Sequence, residues 1–237
     1  MAESVLLMSA WRGALSALGV DLTGAVLLAA PDGGALARAA GVPVRAEGVT
    51  LVTIGAGQVP ELPEGAAPAA TGAPDASFDA VVFLAAWETQ TQLGEVALEA
   101  TRIVRPGCRL FLGDLDAQAL TQSMPAAYMQ AVLYQAHREV GERLLARHAG
   151  PSQLALAALG AGLHSVAIEA ADLPIGAFTS AAEYVEAVRA GLWEGRSELD
   201  ESVRDDVLAS LHRRLAGALF PMVAYQPWLL AHGFRPW

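Results

Sequence analysis

An α/β fold is what this sequence predicts: a three-layer sandwich around a mostly parallel sheet, with a helical cap. Three observations predict it. Short apolar runs alternate with helical stretches through the first half of the chain, the pattern of strands joined by crossover helices. The run 80–84 is apolar at every position, as a strand buried on both faces of a parallel sheet requires. After Asp114 the pattern changes to longer helical segments before strand-like runs return.

Each element has its own reason. Val5, Leu6, Trp11, Leu15 and Leu18 recur at helical spacing and predict a leading helix over 4–18. Residues 25–30 form an apolar first strand, broken by Pro31-Asp32-Gly33-Gly34, and 35–40 begins a helix. The β-branched run 49–54 is a strand, and 58–74, rich in Pro, Ala and Gly without periodicity, is a loop. After the strand at 80–84, Leu93, Val96, Ala97, Ala100 and Val104 mark one face of a helix that Pro106-Gly107 stops. A strand at 109–112 follows and Gly113-Asp114 closes it. Met129, Val132, Leu133, Ala136, Val140 and Leu144 predict one long helix over 125–148. Beyond it come a short helix at 154–159, a strand at 164–170, helices at about 181–193 and 202–219, and a last strand at 228–231.

Bulk properties exclude several classes. A 54% hydrophobic and 17% charged chain of 237 residues supports a buried core, not disorder. A net charge of −10 would repel a phosphate backbone, so nucleic acid is not an expected partner. One cysteine, Cys108, allows neither an intrachain disulfide nor a thiolate metal cage, and the histidines show no metal-ligand spacing. Glu3 stands where a signal peptide wants basic residues, and the charge-poor run 151–168 is broken by Gln153, Gly160, Gly162 and His164. A cytoplasmic chain without a membrane span is expected.

The most specific stretch is 77–114, where SFDAVVF is followed after a helical segment by LEATRIVRPGCRLFLGD. It resembles class I S-adenosylmethionine-dependent methyltransferases, the ubiquinone and menaquinone methylases among them. Phe78-Asp79 stands before the fourth strand of that pattern. Arg102-Ile103-Val104-Arg105-Pro106-Gly107 stands where a helix ends before the fifth, with Cys108 replacing a second glycine. Ala161-Gly162-Leu163 is similar to the pattern's Ala-Gly-Phe before a sixth strand, and Gly233-Phe234-Arg235-Pro236 to its closing Gly-Arg-Lys-Pro. The resemblance covers roughly 24–236. It implies a Rossmann-like methyltransferase fold ending in an antiparallel hairpin, with S-adenosylmethionine as cofactor.

The cofactor positions depart from that pattern. On the glycine loop, Ala30 and Asp32 occupy the first two glycine places and only Gly34 keeps its glycine, while Leu28 stands in place of an acid. A β-carbon where positive φ is needed costs roughly 1–2 kcal/mol. The second strand runs into Gly55-Ala56-Gly57 without the acid that would accept the ribose hydroxyls, and 68–72 offers none for the adenine. Too few residues separate Gly34 from Phe78 for two full strand–helix units. Each lost charge-assisted hydrogen bond is worth about 1.5–3 kcal/mol, so three together turn a micromolar ligand into a non-binder.

Other candidate residues carry two readings each. Gly55 opens a short glycine loop that either cradles a ligand or makes a turn. Asp114 and Asp116, at a strand's carboxyl end, suit a base or an amine-binding group, or else a helix cap or solvated loop. Trp87 and Glu88 follow the strand at 80–84 and suit acceptor binding or packing. Tyr128, Tyr134 and His137 lie where related enzymes place an acceptor lid; Tyr134 and His137 share a helix face and suit a general base or a surface pair. Cys108 is expected to be an inert core residue.

The expectation is one methyltransferase-like domain over 1–237 with a helical cap inserted at roughly 117–160. Its function is that of a diverged S-adenosylmethionine-dependent methyltransferase for a small acceptor, with cofactor binding weak or lost. The alternative is a non-catalytic pseudo-methyltransferase acting as a binding or regulatory partner. A homodimer is compatible with either.

Overall fold

A computed structural model describes residues 2–31, 44–46, 49–54, 60–85, 90–122, 131, 134, 137–189 and 201–237. Seven described strands form one open sheet in the order β2-β3-β1-β4-β5-β7-β6. They are β1 (Val26–Pro31), β2 (Val44–Ala46), β3 (Val49–Ile54), β4 (Phe78–Leu84), β5 (Val104–Leu115), β6 (His164–Phe178) and β7 (Met222–Phe234). The described helices are α1 (Ala2–Ala17), α2 (Gln90–Ile103), α3 (Ala117–Gln122), α4 (Arg138–Arg147), α5 (Pro151–Gly160), α6 (Ala181–Arg189) and α7 (Glu201–Leu215).

The three layers follow from strand alternation. Val26, Leu28 and Ala30 of β1 point to one face, Ala25, Leu27 and Ala29 to the other. On the first face lie α1, α6 and α7, through Leu7, Trp11, Leu15, Tyr184, Val188, Leu208 and Leu211. On the second lie α2 and α5, through Leu93, Val96, Ala97, Ala100, Leu154 and Ala158. The α1 face is shifted from the sequence reading: Leu7 is buried, Leu6 is only half-buried, and Val5 is 69% exposed.

Parallel pairing is narrower than "mostly parallel" suggests. Among the described strands only β1–β4 and β4–β5 are parallel; the other four pairings, β2–β3, β3–β1, β5–β7 and β7–β6, are antiparallel. The fold is therefore a Rossmann-like α/β sandwich whose parallel core has an antiparallel flank on each side. The β7–β6 flank is an antiparallel pair at the end of the sheet, as the resemblance implies, but α6 and α7 stand between its strands, so it is not a hairpin. The β3 direction is a different matter: β3 pairs with β1 from Val26↔Ile54 to Pro31↔Val49, so it runs against it. β2 and β3, two residues apart in sequence, pair antiparallel from Val44↔Leu51 to Ala46↔Val49.

The residues that carry the resemblance meet in space and are mostly structural. Phe78 is fully buried, and the Asp79 carboxylate accepts the Ala25 N–H at 2.7 Å and pairs with Arg105. A β-carbon on Gly24 would lie 2.5 Å from Asp79 Oδ2, so glycine is needed there for close approach. The Arg235 guanidinium donates to the carbonyls of Arg102 and Val104, at 2.7 and 2.6 Å, closing the chain end over the carboxyl end of α2. Gly107 has φ +74°, and its N–H donates to the Arg235 carbonyl at 2.8 Å.

Other boundaries differ from the sequence reading for identifiable reasons. Pro106-Gly107 does not separate α2 from the next strand: α2 gives way at Ile103 directly to β5, and the register shift between Phe78↔Val104 and Ala80↔Arg109 absorbs the dipeptide. Strands β6 and β7 are far longer than 164–170 and 228–231, because Pro174, Gly176 and Pro227 sit inside them and read as breakers. The predicted long helix over 125–148 is interrupted: Ala131 and Tyr134 are helical, His137 is not, and the His137 carbonyl accepts the Val140 and Gly141 N–H groups that begin α4. The loop before β4 is anchored over its described part. Thr71 is fully buried, and the Glu99 carboxylate of α2 accepts both its N–H, at 2.8 Å, and its hydroxyl, at 2.5 Å.

Candidate functional site

Open α/β sheets bind ligands in the crevice beyond the carboxyl ends of their parallel strands. Here that edge is made by the ends of β1, β4 and β5: Ala30 and Pro31, Leu84 and Ala85, then Asp114, Leu115 and Asp116. Ala85 has φ +42°, a left-handed geometry unfavourable for alanine, and its N–H donates to the Gly113 carbonyl at 2.7 Å. The β6–β7 pair rises beyond this edge. β5 ends with Leu115 opposite Trp228, while the pair continues to Phe178↔Met222. Leu173, Phe178, Ala224 and Trp228 join Tyr184 of α6 and Leu208 and Leu211 of α7 in one buried wall.

Asp114 is the most connected group at the edge. It is 2% exposed. One oxygen accepts the Leu115 N–H at 2.8 Å and lies 2.6 Å from His148 Nδ1; the other accepts the Ala149 N–H at 2.7 Å. These bonds tie the strand end to the segment that leads into α5. The solvated-loop reading and the terminal-cap reading of Asp114 both give way to this buried strut. Asp116 is the helix cap: its Oδ1 accepts the Ala119 N–H at 2.8 Å at the start of α3. His148 shows in the sequence only as a histidine without metal-ligand spacing. Its pairing with Asp114 joins residues 34 apart, and no local pattern announces it.

The other candidates separate. Ala30 is 5% exposed and packs in the first-face core, with a side chain that offers no polar group. Tyr134 is 3% exposed, so it belongs to the core and not to a surface pair; His137, half-buried and outside the helix, has its Nδ1 3.8 Å from Glu139 Oε1. Asp32, Gly34, Gly55, Trp87, Glu88 and Tyr128 lie outside the described residues. The strand leading to Gly55 nevertheless ends beside Val26, at the amino end of β1, away from the edge where β1, β4 and β5 finish. Cys108 is half-buried, and burial followed by the neighbouring Asp79 charge pushes its thiol pKa up, away from reactivity.

Set against S-adenosylmethionine, the described residues fit poorly. A nucleoside and an amino-acid group need acceptors and donors at the ends of the first two strands. The end of β1 presents Ala30, and the end of β3 is turned to the other edge. At the end of β5, Asp114 is committed to His148 and two backbone N–H groups, and Asp116 caps α3. Among the described residues, no group of three His, Cys, Asp or Glu side chains converges on a metal position, and no helix is long and apolar enough to cross a membrane.

No family model and no curated protein matches the chain. Solved structures do. A candidate methyltransferase from an antibiotic biosynthesis pathway of Anabaena variabilis is 15% identical, with 73% of this chain and 75% of that one covered and a TM-score of 0.45. A phosphoethanolamine N-methyltransferase of Haemonchus contortus, solved with S-adenosylhomocysteine, is 11% identical, with 76% and 37% covered and a TM-score of 0.36. Geranyl diphosphate C-methyltransferase of Streptomyces coelicolor, also solved with S-adenosylhomocysteine, is 12% identical, with 71% and 51% covered and a TM-score of 0.31. The chain thus spans little more than a third of the Haemonchus enzyme and about half of the Streptomyces one. The chain is similar to methyltransferases; the fold assignment rests on its own strand order.

Proposed function

We propose that this chain is a methyltransferase-like protein in which the frame of the fold is kept and the grip on S-adenosylmethionine is lost or remade. The observation that carries the reading is the reversed β3, whose carboxyl end stands at the opposite edge from that of β1. A ribose seated at the end of β1 has β4 ending beside it in Leu84 and Ala85, while β3 on its other side supplies no carboxyl end from which an acid could reach it. The burial of Ala30 and the commitment of Asp114 to backbone and His148 support the same reading. The domain is taken as one unit over 1–237, with the segment at roughly 117–160 inserted between β5 and β6.

The non-catalytic form of this proposal, a pseudo-methyltransferase that serves as a binding or regulatory partner, is favoured by the same strand reversal. The catalytic form needs the cofactor to be held by substitutes, with a small acceptor received between the β6–β7 wall and the strand ends. Its chemistry would then be orientation of an in-line transfer, with little demand for acid–base groups.

Thermal unfolding in the presence of S-adenosylmethionine or S-adenosylhomocysteine separates the two. A ligand at about 100 times its dissociation constant adds roughly 2.7 kcal/mol. No shift up to millimolar ligand is the expected result, and a clear upward shift overturns the loss of binding. The double substitution Ala30→Gly with Asp32→Gly refines the answer. Binding that appears in this variant locates the loss in the first loop; continued absence locates it in the β3 reversal.

A further inference from the structure

Two polar atoms in the wall beyond the carboxyl edge of the sheet are left without a partner. Tyr184 is fully buried and Trp228 is 5% exposed, yet neither the Tyr184 hydroxyl nor the Trp228 indole N–H makes a hydrogen bond. Buried polar groups are otherwise paired, because each gives up its bonds to water on entering the core. Burial also pushes the Tyr184 pKa up, so the hydroxyl keeps its proton and remains a donor. At the same edge Ala85 holds φ +42°, a conformation that strains an alanine. Features that break local rules gather where a site is built.

The fold ties these groups to one surface. Trp228 lies opposite Leu115, where β5 ends, and alternation puts Gln226 and Ala224 on the same side of the overshooting β7. Gln226 is a further polar side chain there, 6% exposed. Tyr184 meets the outer end of the wall: its ring packs edge-on against Phe178, with centroids 4.9 Å apart, and Phe178 pairs with Met222. Met222 and Ile175 are only half-buried against the same core, so the wall borders solvent there. Neither unpaired atom is open to water, so a ligand would take the room of side chains that now close over them. The unbranched, flexible Met222 suits such a margin.

We propose that this wall binds a neutral, largely apolar molecule whose carbonyl oxygens accept hydrogen bonds from the Trp228 indole N–H and the Tyr184 hydroxyl. Charge selects the class. Leu173, Phe178, Tyr184, Ala224, Gln226 and Trp228 carry none, so an anion would find donors without a cation, in a chain of net charge −10. A cation would find no carboxylate in the wall. An apolar lining with a few fixed polar groups is the usual make-up of a small-molecule site. Two donors without acceptors ask for a ligand that brings its own. The proposal rests on the carboxyl edge being the ligand-binding edge and deepens that reading by naming the ligand. It needs no S-adenosylmethionine.

Binding to the full chain, measured without S-adenosylmethionine, tests this with acetophenone against ethylbenzene and benzoate, which are close to it in size but present no acceptor or a charged one. Millimolar acetophenone should raise the melting temperature and bind about tenfold tighter than either. It should also move the Trp228 indole N–H signal downfield in a nitrogen-edited NMR spectrum. The preference over ethylbenzene should vanish when Trp228→Phe and Tyr184→Phe are combined. Without ligand, Tyr184→Phe removes only an unbonded hydroxyl, so its melting temperature should stay level or rise. Four results overturn the proposal: no binding of acetophenone, equal or tighter binding of ethylbenzene or benzoate, a preference that survives the double substitution, or a lower melting temperature for Tyr184→Phe. Should the double variant not fold, an unmoved indole signal overturns it instead. With no cofactor present, failure here leaves the lost grip on S-adenosylmethionine standing, and a melt shift with that cofactor leaves this proposal standing.

Discussion

The two flanks of the parallel core are both antiparallel, yet they do opposite things to the edge where a ligand would sit. On the β7–β6 side, antiparallel pairing adds to the edge: the strand pair overshoots β5 and raises a wall packed by Phe178, Tyr184 and Trp228. On the β3–β2 side, it subtracts: the reversed β3 takes its carboxyl end away. The first flank is locked by polar ties across the chain, with Asp114 to His148 and Ala149, and Arg235 to Arg102 and Val104. At the β1 end of the edge, the buried side chain is the methyl group of Ala30. An α/β frame can thus be maintained by one half of its sheet while the other half is free to change direction.

Substitutions should register this inequality. Phe111→Ala, which empties a fully buried ring site in β5, should cost about 3–5 kcal/mol in urea unfolding. Asp114→Ala takes the acceptor from the buried Ala149 N–H and removes the close contact to His148. It should cost about 3 kcal/mol and lower the melting temperature by roughly 6–12 °C. An unchanged melt for Asp114→Ala would show that the strut does not hold the β5 end.

A smaller effect is expected from pH. His232 is held below its usual pKa, first by burial and then by the Arg109 charge, against a weaker opposing pull from Glu169. The unfolded chain therefore takes up this proton first. The stability tied to neutral His232 is complete above about pH 6.5 and declines as pH falls through the lower folded value. Urea melts at neutral and mildly acidic pH should show a steeper loss for the wild type than for His232→Gln; equal slopes would remove the assignment.

Glu99 behaves alike in a more acid range. Burial alone would raise its pKa, but hydrogen bonds from Arg102 and Thr71 outweigh burial and hold it below 4.5. Its contribution is present above that value and is lost as pH falls through the folded one. Glu99→Gln should flatten the acid limb of the stability curve. The least change is expected at the β1 end of the edge: Ala30→Gly, at a strand end, should cost only about 0.5–1 kcal/mol in the same urea titration.

Much of the frame is legible in the sequence because its signals are local. The run 80–84 can be buried on both faces only as a central strand, and the spacing of Leu93, Val96, Ala97 and Ala100 can face one way only as a helix. Other features need contacts between distant residues. The pairing of Asp114 with His148 is hidden because neither residue is distinctive alone. The burial of Tyr134 is hidden because helical spacing continues through His137, whereas the chain restarts there. The length of β6 and β7 is hidden because Pro174 and Pro227 resemble breakers until bulges and a neighbouring strand accommodate them.

What the sequence determined by itself is the list of elements and the apolar faces they must bury, because periodicity and backbone preference act over a few residues. Strand direction is another kind of quantity. The run 49–54 is equally apolar and β-branched whichever way it lies, so nothing within it says whether it runs with β1 or against it. That choice was left to the tertiary structure, where antiparallel pairing with β2 on one side and β1 on the other decided it, and with it which edge of the sheet the strand's carboxyl end reaches.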